Sequence, residues 1–81
     1  MTRDDVKEAV FQAIREEIDD PDLVLDGSNS AADVPGWDSL THVRIVMNIG
    51  IRLGNDIDPS ATYEAANIDE LVDAVAAAVQ A

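Results

Sequence analysis

The stretch Pro35–Asn55, PGWDSLTHVRIVMNIGIRLGN, decides what this chain folds into. Pro35 and Gly36 are turn residues, and Asp38 is a strong helix cap because its carboxylate accepts the free N–H groups of a first turn. Behind Asp38, residues Leu40, Val43, Val46, Met47, Gly50 and Leu53 recur at helical spacing and predict one buried face. Ile45 and Ile49 widen that apolar coverage, and Gly54 with Asn55 suits the C-terminal cap. Gly50 is unfavourable inside a helix by roughly 1 kcal/mol against Ala, so it marks close packing or a local weakness. The spacing predicts a helix over 39–53, with the Ser39 hydroxyl in its first turn and Leu40 turned inward to fix that turn.

The same signals recur on either side. Thr2 with Asp5 forms a capping-box pattern, followed by Val6, Ala9, Val10, Ala13, Ile14 and Ile18 at helical spacing. That predicts a helix over 3–18, stopped by Asp19, Asp20 and Pro21. Residues 19–37 read as a long connection rich in turn chemistry, with Leu23, Val24 and Leu25 as its anchors. A short strand is the rival for those anchors, with nothing nearby to pair it. Beyond the central helix, Asp58 and Pro59 predict a short helix over 59–65. Asn67 with Glu70 caps a last one over 68–79, built on Ile68, Leu71, Val72, Val75, Ala76 and Val79. The expected fold is all-α, a four-helix bundle in one domain over 1–81, with a long first loop and a short third helix.

Composition narrows the function. The chain has 81 residues, with 17 acidic against five basic side chains and a net charge of −12. A nucleic-acid site needs clustered Lys and Arg, so this balance argues against one, and equally against an anionic membrane surface. Opposite fields steer encounter, so basic partners are favoured at a distance. The charge is uneven: −2 over residues 1–18, −5 over 19–37, +1 over 38–53 and −6 over 54–81. Cysteine is absent, which removes disulfides, thiolate catalysis and zinc–sulfur sites together. No apolar stretch approaches membrane-spanning length, and a cytoplasmic monomer is the expectation.

These residues bear on three chemistries. Ser39 and His42 are three apart and can face each other on a helix, but Asp38 points away from them as the cap. No oxyanion donors converge either, so a hydrolytic triad is disfavoured and no enzyme activity is expected. His42, the sole histidine, is expected to be exposed or partner-facing. Asp56, Asp58 and Ser60 match the first alternating positions of a calcium loop, yet Ala61 stands where Gly is required and Asn67 where the closing Glu belongs. No dedicated metal site is expected. A hydroxyl at an exposed helix N-terminus, by contrast, suits an attached phosphoester, because unpaired N–H groups and the helix dipole favour negative charge there.

Trp37-Asp38-Ser39-Leu40 resembles the Asp-Ser-Leu attachment motif of the acyl and peptidyl carrier proteins, and the order of predicted elements resembles that family over nearly the whole chain. The resemblance implies that Ser39 carries 4′-phosphopantetheine, moved from coenzyme A by a phosphopantetheinyl transferase with Mg²⁺. The arm's thiol would hold an acyl or aminoacyl group as a thioester, so a cysteine-free chain would work with a borrowed thiol. A loading enzyme and downstream transferases or synthases are the further partners implied. The resemblance also gives Asp38 contacts with the transferase. The sole tryptophan, Trp37, either anchors the loop at the domain edge or borders the arm.

One stretch departs from the family. In fatty-acid-synthesis carriers the helix after the modified Ser is typically rich in Glu, whereas here it holds Arg44, Asn48, Gly50, Ile51 and Arg52. Arg44 and Arg52 either solvate an exposed face or change partner choice by reversing its charge. With Trp37 ahead of the motif and Thr41-His42-Val43 after it, the chain looks closer to polyketide, nonribosomal-peptide or other specialised carriers. The expected partner-recognition residues are Trp37, Asp38, Leu40, His42, Val43, Arg44, Met47, Ile51 and Arg52. Val43, Val46 and Met47 either border arm and partner or pack, with Val46 assigned to the core. An unmodified, carrier-like interaction module is the alternative function.

Overall fold

A Thr hydroxyl starts the first helix. In the computed structural model, which describes residues 2–80 except the side chain of Gln80, Thr2 Oγ1 accepts from the Asp5 amide and Asp5 returns the bond to the Thr2 amide, at 3.2 and 2.9 Å. The ends of the expected 1–81 domain, Met1 and Ala81, lie outside the described residues. Helix α1 runs Arg3–Ile18 and ends at Asp19, whose left-handed backbone (φ 61°) closes the last turn. Helix α2 runs Ser39–Leu53 from the Asp38 cap to a left-handed Gly54, and α3 runs Ile68–Gln80. The Asn67 side chain accepts from the Glu70 amide at 2.8 Å. The described residues are helical or irregular, with no strand.

The core is one cluster. Val6, Val10, Ala13 and Ile14 of α1 meet Ile45, Val46 and Ile49 of α2 and Ile68, Leu71, Val72 and Val75 of α3, with Ile57 closing one end. Polar ties surround it. Arg52 Nη2 reaches Glu16 within 2.6 Å, and Asn48 donates to both Glu16 and Glu17. Arg3 pairs with Asp73 of α3 at 3.0 Å.

The long connection is tied down by backbone chemistry. Arg15 Nε donates to the Leu23 carbonyl at 2.9 Å. Further along, the carbonyls of Gly27 and Asn29 accept from the amides of Asp69 and Ile68 at 2.8 and 2.9 Å, satisfying N–H groups at the α3 start that the helix itself leaves free. A Cβ at Gly27 would meet the Asp69 carboxylate, so a side chain there requires Asp69 to turn aside. Leu23 and Leu25 pack against the core as expected, but Val24 is 88% exposed and anchors nothing.

Two further expectations are corrected. The helix predicted over 59–65 is a single 3-10 turn, Pro59–Ala61, so the described residues hold three α-helices and not four. Bonds from Ala61, Thr62 and Ala65 amides to carbonyls three residues back tighten this segment. The turn carries the Thr62 hydroxyl, which bonds the Pro59 carbonyl and lies against His42 of α2. The inward face of α2 is also rotated from the predicted one. Ile45, Val46, Ile49 and Gly50 are buried, while Leu40 and Met47 point to solvent, 61% and 59% exposed. Leu40 therefore does not fix the turn from inside. Gly50 marks close packing: a Cβ there would lie 2.6 Å from the Asn55 carbonyl oxygen, where the chain leaving α2 folds back.

Candidate functional site

Ser39 is the first residue of α2 and is exposed. Its neighbour Asp38 has extended backbone and accepts from the Thr41 amide at 2.8 Å. Those bonds from Thr41, backbone first and then side chain, hold the Asp38 carboxyl below the ordinary carboxylate value. Asp38 is thus ionised and engaged as the cap, and Ser39 is left presenting its hydroxyl.

Ser39 lies on the wall of a cleft of about 300 Å³ between the long loop, the start of α2 and the start of α3. Trp37 and His42 form one side, Tyr63 another, and Ile68 and Leu71 an apolar side. Trp37 is half-buried and packs on the core, so the domain-edge anchor and the cleft wall are the same residue.

His42 departs from expectation. It is half-buried and joined to three other residues. Trp37 Nε1 donates to His42 Nδ1 at 3.2 Å, and His42 Nε2 lies 2.7 Å from Thr62 Oγ1. Thr62 Oγ1 in turn donates to the Pro59 carbonyl at 2.8 Å. The His42 ring also faces Tyr63, with centroids 5.2 Å apart. Burial holds the imidazole below the ordinary histidine value. Both ring nitrogens are engaged by Trp37 and Thr62, away from Ser39, and Asp38 is engaged by Thr41, so the three triad candidates are not joined to one another. Thr62 and Tyr63 were not foreseen. The sequence signal for them is faint: a lone Tyr beside a Thr, 20 residues from the histidine they meet.

The other expected recognition residues separate into two groups. Leu40, Met47 and Ile51 form an exposed apolar line on α2, with Ile51 81% exposed, and Arg44 is an exposed cation beside it. Val43 is half-buried. Arg52 differs from Arg44, because its guanidinium is held by Glu16 and by Asn48 Oδ1 at 2.7 Å. No cluster of three or more metal-ligating side chains occurs among the described residues, and Asp58 accepts from the Ser60 amide as a local cap. No described helix is long and apolar enough to cross a membrane. The chain matches no family model, no curated protein and no solved structure.

Proposed function

We propose that this protein is an acyl or aminoacyl carrier, modified on Ser39 with 4′-phosphopantetheine and serving a specialised biosynthetic pathway. The observation that carries the reading is the exposed Ser39 hydroxyl on the first residue of α2, opening onto the cleft walled by Trp37, His42 and Tyr63. The residues fit the group. A phosphodiester on Ser39 would sit at a helix N-terminus, whose dipole favours negative charge. Asp38, already engaged by Thr41, fixes the start of that helix.

In the modification, Ser39 Oγ attacks the β-phosphorus of coenzyme A, the pyrophosphate P–O bond breaks, and 3′,5′-ADP leaves. The transferase's base takes the hydroxyl proton. Once attached, the arm supplies a thiol that holds the cargo as a thioester. The chain's own part is presentation. Leu40, Met47 and Ile51 with Arg44 are the face offered to loading and downstream enzymes. Arg52 is committed to Glu16, so Arg44 is the cation that sets partner choice. On this reading the 3-10 turn at Pro59–Ala61 stands where the resemblance expects a short third helix.

The test is the intact mass of the chain after incubation with coenzyme A, Mg²⁺ and broad-specificity phosphopantetheinyl transferases. One added phosphopantetheine in the unaltered chain, and none in Ser39→Ala, is the expected result. No gain with several transferases overturns the proposal and leaves the unmodified interaction module, for which the exposed line on α2 would be the contact.

A further inference from the structure

Thr62 is a buried polar side chain, 1% exposed, and it belongs to a chain of hydrogen bonds whose direction can be assigned. Indole nitrogen only donates, so His42 Nδ1 must accept from Trp37. In a neutral imidazole the proton then sits on Nε2 and is donated to Thr62 Oγ1. The Thr62 hydroxyl proton goes on to the Pro59 carbonyl. The Pro59 carbonyl accepts from both the hydroxyl and the amide of Thr62, and no buried side-chain polar atom among the described residues is left without a partner.

We propose that His42 is the positioning residue of the cleft beside Ser39: its neutral Nε2–H form clamps Trp37 of the long loop to the Pro59–Tyr63 segment, and its protonation frees the Trp37 indole N–H from that clamp. The chemistry is local. A proton on Nδ1 puts two N–H donors face to face at the 3.2 Å contact, and Trp37 loses its acceptor. The rest of the loop keeps its own ties, from Arg15 to the Leu23 carbonyl and from the α3 amides to Gly27 and Asn29. Release is therefore confined to the Trp37 indole N–H, because the ring still packs on the core and the Trp37 amide still donates to the Val34 carbonyl.

The groups around His42 leave this switch to the histidine itself. Of the residues lining the cleft, Asp38 at the start of α2 and Tyr63 in the 58–67 segment can titrate besides His42. Asp58, in the same segment, caps Ser60. The long loop contributes Ala31 and Trp37, and α3 with its cap contributes Asn67, Ile68 and Leu71, none of which titrates. Desolvation lowers the His42 value, so the clamp is complete above the ordinary histidine value of 6.5 and is lost as pH falls through the lowered one.

The clamp does not depend on Ser39 being modified, and it is tested on the unmodified full chain. Long-range proton–nitrogen NMR of His42 is expected to show the proton on Nε2 and none on Nδ1 at neutral pH. On acidification the Trp37 indole N–H resonance should move with the His42 midpoint, below 6.5. Trp37→Phe removes the donor to Nδ1 and should raise that midpoint. His42→Phe keeps an aromatic ring and should let the Trp37 indole proton exchange several-fold faster. A proton on Nδ1 at neutral pH, or an indole resonance blind to the His42 titration, overturns the proposal. Should His42→Phe fail to fold, the spectra of the unaltered chain decide alone. Failure of arm attachment would leave these spectra unchanged, so the two outcomes are separable.

Discussion

The two faces of α2 carry the same kinds of side chain and have opposite fates. Ile45, Val46 and Ile49 are fully buried against α1 and α3, whereas Leu40, Met47 and Ile51, on the same fifteen residues, stand in solvent. Apolar character alone therefore does not say which side of this helix is core. The inward face is distinguished by Gly50, which admits the returning backbone at Asn55. The outward face is distinguished by Arg44, whose charge keeps that line at the surface. The first face holds the fold together, and the second is free to meet something else.

Three substitutions bear on that contrast. The largest effect is expected for Ile49→Ala, which leaves a cavity between three helices and should cost about 2–5 kcal/mol in a denaturant titration. A loss well under 1 kcal/mol would mean that the inward face is not the core. Gly50→Ala is next. Helix propensity alone would make it stabilising by roughly 1 kcal/mol. The added Cβ meets the Asn55 carbonyl at 2.6 Å, and overpacking of this kind costs about 1–3 kcal/mol. A lower melting temperature for Gly50→Ala supports the close approach, and a higher one removes it. Ile51→Gln is the smallest, expected within about 0.5 kcal/mol of the parent because the side chain is 81% exposed. A loss approaching that of Ile49→Ala would erase the distinction between the faces.

The local signals were legible. Thr2, Asp38, Asp58 and Asn67 each stand as predicted at the start of a helix or turn, since a cap bond joins residues two or three apart. Ser39 follows from Asp38 for the same reason. The sequence does not show that His42 is half-buried. Its partners are Trp37, five residues away, and Thr62, twenty residues away, and only the second contact explains why the ring is drawn inward. Nor does the sequence show that Arg52, unlike Arg44, is paired with Glu16, which lies 36 residues back.

By itself, the sequence determined that the chain is helical, where α1 and α2 begin and end and where α3 begins, and that one hydroxyl stands at the mouth of the middle helix. Those are short-range matters of capping, turn residues and spacing. Tertiary structure alone decided which face of α2 turns inward, because that helix is apolar on more than one side and α1 and α3 choose between them. It also replaced the predicted helix over 59–65 with a 3-10 turn. That segment holds Thr62 against His42, a contact made across twenty residues that no local signal encodes.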